Sequence, residues 1–135
     1  MSFELQFDIL RYYDSGESGI TIPVVIELKT RSIQIPAKVD TGSSFCIFGR
    51  TVAQELEIEI ESGNPKSIST ATGTFVAYGH DVTLRTSGIE FDSEVFFVSN
   101  DGFHRNVLGR NGWLNRFVIG INDYDGELYL RPHNK

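Results

Sequence analysis

Residues 20–44 read ITIPVVIELKTRSIQIPAKVDTGSS. The first nine are rich in β-branched side chains, and the polar tetrad Lys29-Thr30-Arg31-Ser32 turns the chain into a second run, SIQIPAKVD. Alternation of apolar and polar residues sends successive side chains to opposite faces of a strand, so the two runs predict partner strands. Pro23 and Pro36 have no N–H to give to a ladder, which places each at an edge or a bulge. What leaves the second strand is a carboxylate, a hydroxyl and a glycine, Asp40-Thr41-Gly42, followed by Ser43 and Ser44. An acid there sits on a tight loop, with Gly42 allowing close approach of backbone to a ligand and the hydroxyls able to bond nearby groups.

The same period of two runs through most of the chain. Phe3, Leu5, Phe7 and Ile9 alternate with Glu4, Gln6 and Asp8, which predicts an N-terminal strand with one buried face. Further strands are predicted in PKSISTATGTFVAYGHDVTLRT and GIEFDSEVFFVS, where the unbroken apolar run Val95–Val98 suits a strand buried on both faces. Asp125-Gly126 predicts a turn into a last short strand. The one persuasive helix is short, Thr51 to about Leu56, with Val52 and Leu56 on one face. Many short strands, frequent glycine turns and one or two helical turns define an all-β class, a compact barrel or sandwich.

At 135 residues and 15.1 kDa the chain has the size of one domain, 1–135, without repeat, linker or low-complexity segment. Twelve Lys and Arg against 18 Asp and Glu give a net charge of −6, a poor basis for holding nucleic acid or an anionic membrane. One cysteine, Cys46, excludes an internal disulfide framework and a thiolate zinc cluster within one chain. No window approaches the length of a membrane helix, and the N-terminus lacks the basic-then-apolar order of a signal peptide. The expectation is a soluble, cytoplasmic protein, and the opening Met1 is read as the start of a free-standing product.

An Asp-Thr-Gly tripeptide is weak evidence by itself, and the chain carries a near copy, Asp14-Ser15-Gly16. That one runs into Glu17-Ser18-Gly19 and reads as an exposed turn. Ser43, Ser44 or Cys46 as nucleophile needs a positioned base, and nothing in the sequence brings His80, His104 or His133 to them. Cys46, within Phe45-Cys46-Ile47-Phe48, reads as a buried core thiol, and Trp113 as core beneath a short helix. The three histidines lack metal-ligand spacing, and Gly73, Gly109 and Gly112 do not form a phosphate loop, so neither metal nor cofactor is expected.

Three landmarks, taken in order, resemble the retropepsin-like aspartic proteases, whose one-domain subunits dimerise to build one active site. They are Asp40-Thr41-Gly42-Ser43-Ser44, a glycine-tipped hairpin at Ala71-Thr72-Gly73-Thr74, and Val107-Leu108-Gly109-Arg110-Asn111. The resemblance covers about residues 20–130. It implies a closed acid-protease barrel with a flap at Ala71–Thr74, and NGWLNRF as a C-terminal helix. It implies an aspartic endopeptidase that acts as a homodimer on peptide or protein substrates, without cofactor, since two carboxylates held within about 3 Å share one proton and act as base and acid. Only one Asp-Thr-Gly of the right context is present, so Asp40 must come from two chains. By the same carry-over Thr41 bonds across the dimer, Gly42 admits substrate backbone and Ser43 donates to the outer carboxylate oxygen. Gly109 packs beneath the loop, and Arg110 braces the interface by ion pairing.

Two positions depart from the family pattern. Retroviral enzymes carry an aspartate four residues after the catalytic one, partnering the arginine; here it is Ser44. The residue two before the catalytic Asp is usually apolar; here it is Lys38, which strand alternation puts on the side of Asp40. Lys38 there recognises acidic substrate groups, or depresses the dyad's pKa and hinders proton sharing, or reaches away into solvent. The alternative function is a non-catalytic module on the same fold, serving dimerisation or peptide binding. A small-molecule-binding β-barrel has nothing behind it beyond the fold class.

Overall fold

In the computed structural model, which describes residues 1–71, 73–100 and 102–135, the hairpin of residues 20–39 is the foundation. Strands β2 (Ile20–Leu28) and β3 (Arg31–Val39) follow β1 (Ile9–Tyr12) and pair antiparallel without a break. The turn tightens to Lys29-Thr30, with Lys29 at φ 56° and Arg31 already paired to Leu28. Pro23 stands directly opposite Pro36. Directly opposed residues either exchange both hydrogen bonds or neither, so two facing prolines cost the ladder nothing. The chain continues through β4 (Ile47–Phe48), α1 (Arg50–Glu55), β5 (Asn64–Thr70), β6 (Gly73–Thr86), β7 (Ile89–Val98), β8 (Val107–Leu108), β9 (Phe117–Asn122) and β10 (Glu127–Pro132).

Pairing runs β2–β3–β8–β4–β7–β6 and returns to β2 through Val25–Glu27 against Thr83–Arg85, a closed circuit with β5 added outside β6. Inside it lie Ile22, Val24 and Ile26 from β2, Ala37 and Val39 from β3, and Leu84, Val95 and Phe97. Val52 and Leu56 of α1 face this core as the sequence implies, and Trp113 is fully buried, donating its indole N–H to Thr86 Oγ1 at 2.9 Å. A smaller cluster, Ile47, Ile68, Ala77, Phe96, Val98 and Val107, lies on the other side of β7. All of Val95–Val98 is therefore buried, with alternate residues serving the two cores. The sheet β1–β10–β9 covers the barrel with Leu128 and Leu130.

Two expectations need correction. The N-terminal strand begins at Ile9, not Phe3, because β10, its only partner, starts pairing at Ile9↔Leu130 and ends at Pro132. Phe3 and Leu5 are left 89% and 60% exposed, while Phe7 packs on Gly120 and Tyr129. NGWLNRF is not an α-helix but a three-residue 3-10 turn, Leu114–Arg116, opening into β9. Gly112 at φ 106° precedes it, and β-branched and aromatic residues after Arg116 return the chain to strand. No described helix is long and apolar enough to cross a membrane.

Candidate active site

Asp40 is placed by β8. The end of β3 runs parallel to it, with Lys38 N–H donating to Asn106 O at 2.8 Å and Asp40 N–H to Leu108 O at 3.0 Å. The chain then turns on itself: Asp40 Oδ1 accepts Gly42 N–H at 2.9 Å, and Asp40 O accepts Ser43 N–H at 3.2 Å. Residues 109–111 lie along the outgoing side. Arg110 N–H donates to Ser43 O at 2.8 Å, and Ser44 O accepts both Asn111 N–H at 2.9 Å and Asn111 Nδ2 at 2.8 Å. Gly109 sits so close beneath that a Cβ there would stand 2.8 Å from Ser43 O and 2.6 Å from Phe45 C.

The side chains of this loop divide. Thr41 and Gly42 are exposed at its tip, and Asp40 is half-buried. Ser43 was expected to donate to the carboxylate; instead its hydroxyl turns inward to Phe45 O at 2.7 Å, because the chain reversal puts that carbonyl within its reach. Arg110 is exposed, and its side chain makes no ion pair with any described residue. The stem of Lys38 crosses Gly19, where a Cβ would meet Lys38 Cε at 2.7 Å, and Lys38 is not among the residues lining the space beside Asp40.

That space is a cleft of about 380 Å³ between the Asp40 loop and the β5–β6 hairpin. Ser67 to Thr70 and Phe75 form its hairpin side, and Phe45, Ile47 and Val107 its floor. The hairpin pairs out to Thr70↔Gly73, with Thr70 Oγ1 donating to Gly73 O at 3.0 Å and the Ser69 and Thr74 hydroxyls 3.3 Å apart. Ala71, Gly73 and Thr74 line an adjoining depression of about 430 Å³ that shares Thr70, Phe75, Phe103 and Arg105 with the first. Thr72 lies outside the described residues. The two hollows, sharing those four residues, adjoin as one trough.

Phe103 and Arg105 went unnoticed in sequence because their loop, between β7 and β8, has no periodicity. Phe103 reaches the hairpin by stacking on Phe75, ring centroids 5.4 Å apart. No histidine lines the cleft with Asp40; His80 Nε2 is 2.8 Å from Ile60 O and the ring packs on Phe97. Cys46 is fully buried, and burial pushes its thiol up to about 11, so it is no nucleophile at neutral pH.

An all-β barrel that presents an Asp-Thr-Gly loop to a hairpin across a cleft of mixed polar and apolar lining has the architecture of an acid protease. The family model for aspartyl proteases matches residues 26–111, and the chain belongs to that family. Among solved structures it is similar to a retropepsin-like aspartic protease from Rickettsia conorii, with 18% identity, a TM-score of 0.65 and 96% of each chain covered. It is also similar to EIAV protease in an inhibitor complex, with 18% identity, a TM-score of 0.55, and 70% of this chain and 84% of that one covered. At such identity the likeness shows the retropepsin-like fold. No curated protein matches the chain.

Proposed function

We propose that the chain is an aspartic endopeptidase active as a homodimer, with one site assembled from two copies of Asp40. The observation that carries this is that Asp40 is the only acid lining the cleft among the described residues, held by backbone bonds on a braced loop. One chain supplies half of the acid–base pair that peptide hydrolysis needs. With two copies facing across a two-fold axis, one carboxylate takes a proton from water as the oxygen attacks the peptide carbonyl. The other, protonated, donates to the carbonyl oxygen. Collapse of the tetrahedral intermediate breaks the C–N bond, and the amine leaves with a proton. The exposed Thr41 and Arg110 are free to make contacts across such an interface, and the hairpin of Ser67–Thr74 is placed to bond substrate backbone by strand addition.

The test is cleavage of an unbiased peptide mixture from about pH 4 to 7, wild type beside Asp40→Asn, with sedimentation of both. Products from the wild type alone, from a self-associating chain, are expected. Full activity in Asp40→Asn, or a monomer at every concentration with and without substrate, defeats the reading. A folded dimer that binds peptides without cutting them is instead the non-catalytic module.

A further inference from the structure

The trough beside Asp40 holds an unmatched cation. Among the described residues lining the cleft the only acidic or basic side chains are Asp40 and Arg105, and the rest are apolar side chains, serines, a threonine and a glycine. Arg105 stands exposed on the loop between β7 and β8, and its guanidinium makes no ion pair or hydrogen bond with any described residue. The adjoining depression adds His104 and contains no acid among its described lining. Lys66 Nζ lies 4.3 Å from the centroid of the Phe45 ring, which lines the cleft. In a chain of net charge −6, the trough thus carries Arg105 in its lining with Lys66 near one wall. Its one acid among the described residues is the group that peptide hydrolysis itself uses as base.

We propose that this site selects peptides with an aspartate or glutamate next to an apolar residue close to the scissile bond, and that Arg105 is the residue that selects the acid. The inference rests on the reading of Asp40 as the catalytic centre. An arginine stays charged at any working pH and offers a planar fork that fits a carboxylate with two bonds. A peptide bound in the cleft strips water from that guanidinium. A carboxylate compensates the loss and a carboxamide does so poorly. Phe75 and Phe103, stacked beside it, supply the apolar contact for the neighbouring side chain. The lysine that strand alternation put near Asp40 lies over Gly19 instead, so the selecting charge comes from the loop.

The experiment uses matched apolar octapeptides in which one position within three residues of the cleaved bond is Glu, Gln or Lys. Cleavage by wild type, Arg105→Gln and Arg105→Glu is measured, and binding of the same peptides is followed by fluorescence anisotropy on the Asp40→Asn background. The wild type is expected to favour Glu over Gln about 5- to 10-fold, less at high salt. Arg105→Gln should level the two peptides, and Arg105→Glu should turn the preference toward Lys. Equal handling of Glu and Gln by the wild type, a Glu preference that survives Arg105→Gln, or no binding of any peptide overturns the proposal. Binding that follows Arg105 without any cleavage sustains it and sinks the peptidase reading, so the two fail separately.

Discussion

Asp14-Ser15-Gly16 and Asp40-Thr41-Gly42 are the same object locally. In each, the aspartate Oδ1 accepts the glycine N–H at 2.9 Å, and the aspartate carbonyl accepts the N–H three residues on at 3.2 Å. What separates them lies outside the tripeptides. The first hangs on the surface, tied at its foot by Tyr13 N–H to Gly126 O at 2.9 Å. The second ends a barrel strand, is tied to Leu108, Arg110 and Asn111, rests on Gly109 and looks into a cleft. A short Asx turn is made by chain chemistry alone. A site is made by what the turn is braced against and what it faces.

The largest expected contrast is in activity. Asp40→Asn removes the base and proton store, and cleavage of a peptide by the dimer should fall by at least about 10³-fold. Asp14→Asn keeps an oxygen for the same turn and should leave the rate within about twofold. Equal losses in the two variants would mean that the local turn is what matters. Stability gives the next contrast. Gly109→Ala drives a Cβ against the backbone of Ser43 and Phe45, which cannot swing away, and should cost about 3 kcal/mol in urea unfolding. At Gly16 the nearest atom to a new Cβ is the mobile end of Asp14, 3.2 Å away, and Gly16→Ala should stay within about 0.5 kcal/mol.

Burial of the bracing has its own pH signature. Cys46, with Sγ 3.7 Å from Asn111 O, is raised from its ordinary 9.0 to about 11, mainly by burial. As pH rises the unfolded chain loses this proton first, so the stability is whole below pH 9 and drains between 9 and about 11. The loss amounts to at most about 3 kcal/mol. Unfolding of wild type and Cys46→Ala across that range should diverge in slope. The variant is the proper reference because Tyr13, pushed up to about 12 chiefly by its hydroxyl bond to Asp123, adds its own alkaline loss. Parallel slopes would mean that solvent reaches the bracing of the Asp40 loop as freely as it reaches the Asp14 turn.

Much of this was legible in the sequence for physical reasons. Period-two alternation specified β2, β3, β6 and β7, since a strand with one wet face must alternate; the unbroken Val95–Val98 run announced the strand shared by two cores. The same rule misled at Phe3–Phe7, where alternation exists without a partner strand to make it count. The resemblance implies a helix at NGWLNRF, where Gly112 at φ 106° and the β-branched and aromatic residues after Arg116 leave room only for the 3-10 turn Leu114–Arg116. Asp40 and Gly109 were legible through the resemblance, from three landmarks in order along the chain, and the close approach of Gly109 to Ser43 and Phe45 gives a steric reason for that glycine. Arg105 was invisible: a loop arginine carries no pattern, and only folding sets it across from Asp40.

The smallest contrast concerns one serine from each loop, Ser43 just after the Asp40 turn and Ser15 within the Asp14 turn. Ser43 gives its hydroxyl to Phe45 O at 2.7 Å, half-buried, so Ser43→Ala should cost about 1 kcal/mol in unfolding, whereas Ser15→Ala, exposed, should cost almost nothing. The pH–rate profile then asks a sharper question of the same variant. A hydroxyl that stays on Phe45 O in the working enzyme touches no titrating group, and Ser43→Ala should lower stability without moving the profile. If the acid limb shifts upward instead, the hydroxyl swings to the carboxylate when two chains meet, because losing a donor to the ionised form makes that form harder to reach. The Ser43 rotamer seen in the single chain would then belong to the unassembled half-site, and the difference between the two turns would be completed only by dimerisation.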